Sequence, residues 1–286
     1  MKEKCILRLM KKLLVCFTLF ISLLANCLAD SASINESFDL ADYQKTFYMT
    51  PFREAVILGG GAALTGTALV LDKIVKVNHD EYDGNLKVKS SIPNFDQLFM
   101  NPYSKGLDVT CDITRIAMLA APVALFGLTT QKDEWLTIGT MYAESILWTY
   151  GSTELLKLAV NRARPYMYYS GAPEDDLKNG DWKYSFPSGH TSICFTTAAF
   201  TSYVFSQYYP ESGWKWGVTG ISFGLAGTVA ALRMAGGCHY FTDVFTGALI
   251  GTVSGFIIPW IHTRVPARKN MEINVAPGAL MFTLRK

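Results

Sequence analysis

The chain has 286 residues, of which 50% are hydrophobic and 17% charged, with a formal net charge of +2. A charged fraction below the ~25% of soluble domains points toward a membrane-embedded or membrane-docked protein. So small a charge, with no basic-aromatic stripe for bases to stack on, excludes nucleic acid as a partner.

Lys2, Lys4, Arg8, Lys11 and Lys12 precede an apolar run from Leu13 to Leu24, and small or neutral residues follow through Ala29. A basic segment, a short apolar run and Ala at a possible cleavage point read as an export signal over residues 1–29, with an uncleaved anchor as the alternative. The run falls short of the ~20 residues that a spanning helix needs. Cys5, Cys16 and Cys27 lie in this leader. Cys111, Cys194 and Cys238 remain, too widely spaced for a disulfide framework or a metal-ligand cluster.

A mixed polar stretch follows, with Asn35, Glu36, Asp39 and Asp42. Six apolar stretches then read as helices, over 55–71, 113–130, 136–156, 191–209, 216–232 and 244–262. Their length and lack of turn residues exclude short strands. Polar connections run over 73–111 and 165–189, and the tail 272–284 has room only for a strand or an extended arm. The expected organisation is a signal or anchor over 1–29, then a segment 30–112 with the first helix and its connection. A helical bundle over 113–263 and a basic tail over 264–286 complete it. The fold class is all-α, a six-helix bundle embedded in the membrane. Within it Glu144 should face the interior, as ionisable residues in spanning helices do. The run Gly59-Gly60-Gly61 suits close helix packing. The fourth, fifth and sixth stretches read as long and uncharged enough to span.

Three short segments fall at helix ends. Lys157 to Arg164-Pro165 closes the third helix, and Pro187-Ser188-Gly189-His190 opens the fourth. Arg233 through His239 to Asp243 links the fifth to the sixth. In an up-and-down bundle these positions share one end. Lys157, Arg164 and Arg233 would clamp a phosphate, because guanidinium binds its oxygens bidentately. The free N–H groups of Ser188 and Gly189 at a helix start also favour an anion. His239 and Asp243 are four apart, so the carboxylate is placed to bond Nδ1 and leave Nε2 free to attack. His190 is then suited to protonate a leaving oxygen and to activate water. Alone, each segment has an ordinary reading as a basic helix end, a turn or a surface pair. Together, in order and at one end, they make a site.

These segments resemble the motifs of the type 2 phosphatidic acid phosphatase family, which shares its core with vanadium-dependent haloperoxidases and bacterial class A acid phosphatases. The resemblance implies that Lys157, Arg164, Ser188, Gly189 and Arg233 hold phosphate. His190 is then the general acid, His239 the nucleophile and Asp243 its orienting partner. Leu232 departs from the Ser that usually precedes the third-motif arginine. The implied activity is metal-independent hydrolysis of a phosphate monoester or pyrophosphate through a phosphohistidine, with no cofactor and no metal. The expected partners are a phosphorylated lipid or another phosphate ester, and the membrane. The tyrosine-rich loop 165–189 would lie over the site at headgroup level. Arg264, Arg268 and Lys269 after the sixth helix place the C-terminus in the cytoplasm. The site then faces the periplasm from a bacterial inner membrane, or belongs to a periplasmic membrane-docked protein. The rival readings are a vanadate-dependent haloperoxidase and a non-catalytic membrane scaffold.

Overall fold

The computed structural model describes residues 46–77, 87, 92–263, 270–276 and 279–285. The leader, the polar residues Asn35 to Asp42, and Arg264, Arg268 and Lys269 lie outside the described residues. The chain divides into two compact units, one over 51–260 and the other made of 1–50 with 261–286.

The unit 51–260 is all-helical among its described residues. Its long helices are α1 (Pro51–Val77), α3 (Lys105–Thr129), α4 (Trp135–Val160), α6 (Gly189–Tyr208), α7 (Trp214–Ala235) and α8 (Phe241–His262, whose last two residues pass into the other unit). Each apolar stretch read from the sequence coincides with one of these, and two overrun the helix end by one residue, at Thr130 and Tyr209. The polar connections add two short helices, α2 (Asn94–Gln97) and α5 (Glu174–Asn179), so the described residues hold eight α-helices. Single turns of this kind carry no apolar periodicity, so the sequence pattern passes over them. In the other unit the tail forms a hairpin, β1 (Asn270–Ala276) paired antiparallel with β2 (Ala279–Arg285), outside the all-α class.

Among the described residues, four helices are long and apolar enough to cross a membrane by length and composition: Pro51–Ile74 of α1, then α3, α7 and α8. Of the three stretches read as spans, the fifth and sixth qualify and the fourth does not. That fourth stretch is α6, whose interior is rich in hydroxyls. Thr196 meets Thr149 at 2.7 Å, Ser192 meets Thr153 at 3.1 Å, and Thr197 meets Tyr142 at 2.9 Å. These side chains lower its hydropathy and satisfy one another against α4, so α6 is a central helix enclosed by neighbours.

Glycine sets how closely α6 is approached from its other side. Gly247, Gly251 and Gly255 recur every fourth residue on α8. A Cβ at these positions would lie 2.6 Å from Ser188 O, 2.1 Å from Ser192 O and 2.2 Å from Thr196 O. The two backbones therefore touch, the small-residue contact that fixes helix pairs in membranes. Because Ser188 starts α6 and Asp243 starts α8, this seam also fixes the spacing of the site. On the far side of α4, Gly61 meets Leu147 and Trp148 while Gly59 meets nothing, so only part of the glycine run serves packing. Cys111, Cys194 and Cys238 are free, buried thiols.

Candidate active site

The three segments converge at one end of the helices. Lys157 sits in the last turn of α4, where Asn161 takes a left-handed conformation and ends the helix. The Lys157 ammonium reaches to 3.1 Å from where a Cβ of Gly189 would stand, so glycine there opens room for the charge. Arg164 is buried; its Nε donates to Asp181 O at 3.0 Å and its guanidinium lies 3.4 Å from the Asp181 carboxylate. Arg233, in the last turn of α7, is buried against the Asp108 carboxylate, while its Nε is buried with no acceptor among the described residues. A buried guanidinium N–H without an acceptor is a donor waiting for an anion. Ser188 caps α6: its Oγ accepts from the Thr191 hydroxyl at 3.0 Å, and its N–H donates to Asp243 O at 3.0 Å.

His239 occupies the loop between α7 and α8 and is almost wholly buried. Its Nδ1 lies 2.7 Å from the carbonyl oxygen of Ser185. A carbonyl only accepts, so Nδ1 carries the proton and Nε2 of the neutral ring carries the lone pair. Burial, with Arg233, Arg164 and Lys157 close by, holds this imidazole well below the usual histidine range. The expected direct bond from Asp243 to Nδ1 is not what the structure has: the nearer carboxylate oxygen is 3.7 Å away. That oxygen accepts instead from Ser185 Oγ at 2.5 Å and from Tyr240 N at 2.9 Å. Asp243 therefore acts on His239 through Ser185 and through the loop that carries the ring.

Behind Asp243 lies a buried charge relay that the sequence reading did not include. Arg162 donates to Asp243 Oδ1 at 2.6 Å and to Asp96 Oδ2 at 2.6 Å, and its guanidinium stacks 3.9 Å from the centre of the Tyr240 ring. Asp96, on α2, also accepts from Thr242 N at 3.1 Å and Thr242 Oγ1 at 2.7 Å. Two buried carboxylates sharing one guanidinium satisfy each other where either alone would be costly. The signal for Arg162 was inside the first segment, two residues before Arg164. Asp96 gave none, because nothing in the connection 73–111 separates it from its acidic neighbours.

His190, the second residue of α6, donates from Nε2 to Asp112 Oδ1 on α3 at 2.7 Å. Burial, and then Arg233, Arg115, His239 and Lys157, push its pKa far down in the site as it stands. Both histidines are thus neutral beside a cluster of cations, and a bound anion would offset those charges. The loop 165–189 packs two of its tyrosines inside the protein. Tyr166 and Tyr168 are buried with Trp182 and Tyr240 in one apolar cluster, and Tyr166 OH donates to Asp176 at 2.6 Å. Gly237 ties this region to the segment before α3. With φ of 73°, it lies where a Cβ would stand 2.4 Å from Asn101 O.

The sequence model of the PAP2 superfamily matches residues 138–266. The bacitracin transport permease protein BcrC of Bacillus licheniformis is 31% identical over 101 residues, covering 33% of this chain and 45% of that protein. The chain thus matches less than half the length of this curated relative. Among solved structures, LpxE of Aquifex aeolicus aligns with a TM-score of 0.42 at 25% identity, over 60% of this chain and 98% of LpxE. A transmembrane PAP2-type phosphatidylglycerolphosphate phosphatase of Bacillus subtilis aligns with a TM-score of 0.36 at 18% identity, over 84% of this chain and 93% of that one. The three segments read from the sequence all lie within the residues 138–266 that this model matches.

Proposed function

We propose that the chain is a metal-independent phosphatase that hydrolyses a phosphate monoester or pyrophosphate of a membrane lipid through a phosphohistidine on His239. The observation that carries this reading is the tautomer of His239. Its Nδ1–H is committed to Ser185 O, which leaves the Nε2 lone pair amid Lys157, Arg164 and Arg233. Nε2 attacks phosphorus in line with the ester oxygen. The three cations, the unpartnered Arg233 Nε and the Gly189 amide at the start of α6 stabilise the charge on the equatorial oxygens, while the Ser188 N–H stays committed to Asp243 O. His190 gives its proton to the departing oxygen, then takes one from the water that attacks the phosphohistidine and restores His239. The cations supply the charge stabilisation that a metal supplies in other phosphoryl-transfer enzymes.

A lipid substrate is supported by composition. The phosphate-binding residues stand at one end of α7 and α8, which are long and apolar enough to span. A headgroup at the membrane surface reaches that end while its chains stay among the helices. Basic residues follow α8 in the sequence, which favours the site end facing away from the cytoplasm. Purified protein is tested against phosphatidate, phosphatidylglycerol phosphate, an isoprenyl pyrophosphate and lipid A phosphate, with His239→Ala alongside. Phosphate release from at least one lipid, abolished in the variant, is the expected result.

A further inference from the structure

Asp108, Asp112 and Arg115 follow one another at i, i+4 and i+7, so they share one stripe of α3. This helix precedes the region matched by the superfamily, and the sequence motifs assign it nothing. Its stripe nevertheless forms a wall of the site. Asp108 pairs with Arg233, and Asp112 accepts from His190 Nε2 at 2.7 Å while Arg115 stands 3.4 Å from the same Asp112 oxygen. Ionisable residues on the inner stripe of so apolar a helix mark a working surface. Asp112 is half-exposed and His190 partly exposed, so their contact lies near the molecular surface.

We propose that Asp112 is the positioning residue for His190, holding Nε2–H so that Nδ1 is the nitrogen that hands the proton to the departing oxygen. The inference rests on the phosphatase reading and deepens it. The groups facing His190 are Arg233 from α7, Arg115 and Asp112 from α3, Lys157 from α4, and His239 from the loop before α8. All but Asp112 are cations or a neutral ring, so Asp112 is the group among them that favours the charged imidazolium. In the first step the P–O bond breaks as His239 Nε2 bonds to phosphorus. The electron pair stays on the leaving oxygen, which takes from His190 the Nδ1 proton that the ring draws from solvent when the substrate anion binds and offsets the cations; Nε2–H remains on Asp112. In the second step Nδ1 takes a proton from water, the water oxygen bonds to phosphorus and the P–N bond breaks. An aspartate that fixes a histidine tautomer in this way makes the ring single-minded about which nitrogen exchanges protons.

The test is kcat/KM of the full chain in detergent, for p-nitrophenyl phosphate and for an alkyl phosphate such as dodecyl phosphate. The nitrophenolate leaves without a proton and the alkoxide does not. Asp112→Asn should lower kcat/KM for the alkyl ester about tenfold or more, a part of the 10²–10⁴-fold that acid–base catalysis supplies, and change the nitrophenyl ester little. The alkaline fall of the alkyl-ester profile should begin at lower pH, because imidazolium is less favoured without the carboxylate. Asp112→Glu should recover part of the loss, and vanadate binding by each variant reports that the site is folded. Equal losses on both esters with an unmoved profile, no loss at all, or faster turnover of both would overturn the proposal. Wild-type protein that releases phosphate from neither ester would overturn the phosphatase reading itself, which separates the two failures.

Discussion

The Nδ1 of His239 lies 2.7 Å from the carbonyl oxygen of Ser185, and the Oγ of the same serine lies 2.5 Å from Asp243. One residue thus joins the carboxylate to the ring, with the backbone facing the imidazole and the side chain facing the acid. Ser185→Ala keeps the carbonyl and so should keep the tautomer, costing turnover less than about tenfold for one lost hydrogen bond of ~1–1.5 kcal/mol. Asp243→Ala takes from Arg162 one of its two carboxylates and frees the loop. It should cost ~3–5 kcal/mol of stability, as the loss of one partner of a buried pair does, together with most of the activity. Steady-state kinetics and melting temperatures of the two variants check this ordering. Equal damage in both would mean that the serine hydroxyl, not the backbone arrangement, carries the effect.

The glycine seam predicts a second ordering. A methyl at position 251 would sit 2.1 Å from the backbone oxygen of Ser192, so Gly251→Ala must push α8 from α6 or bend one of them. Overpacking of this kind costs ~1–3 kcal/mol, and here it also displaces Ser188 from Asp243. Gly224 on α7 has nothing within 4 Å of its Cβ position, so Gly224→Ala is the matched control. Thermal stability and kcat should fall in the first variant and hold in the second. Wild-type values in Gly251→Ala would contradict the close contact.

Acid should destabilise the empty site. His190 and His239 are held below their ordinary range in the folded protein, whereas in the unfolded chain they bind protons near about 6.5. Below that pH the unfolded chain holds more protons than the folded one, so stability falls as pH falls. The slope is up to about 1.4 kcal/mol per pH unit for each histidine. Vanadate or phosphate places negative charge against both rings and opposes the shift. Melting temperature should drop from about pH 7 to about pH 5 and drop less with vanadate present. A drop of the same size with and without vanadate would place the anion away from the histidines.

Much of this site is legible in the sequence, and the reason is local. Lys157, Arg164, Ser188, Gly189, His190, Arg233, His239 and Asp243 lie at helix ends, where short segments announce themselves by charge and by turn residues. What escaped was set by tertiary contact. The spacing of His239 and Asp243 placed them on one face, but the structure starts α8 at Phe241, so His239 stays in the loop and turns to a backbone carbonyl. The sequence pattern singled out neither Asp108, inside the polar connection 73–111, nor Asp112 just after it, because α3 begins at Lys105, eight residues before its apolar run. Residue type alone did not show that Tyr166 and Tyr168 complete a buried cluster with Tyr240.

Orientation in the membrane can be read with single cysteines and an impermeant reagent on intact cells. Asp175, between α4 and α6, is at the site end of the chain's path, and Glu211, between α6 and α7, is at the other; both are exposed. With the site facing outward, Asp175→Cys should label and Glu211→Cys should not. Labelling of both would support a docked periplasmic protein, and labelling of position 211 alone would refute the outward-facing site.

If His239 carries the phosphoryl group, rapid acid-free quenching with a ³²P-labelled substrate will trap it there. Wild-type protein should yield an acid-labile, base-stable label that maps to His239, and His239→Ala should yield none and lose turnover. A label on another residue, or wild-type turnover by His239→Ala, would contradict it.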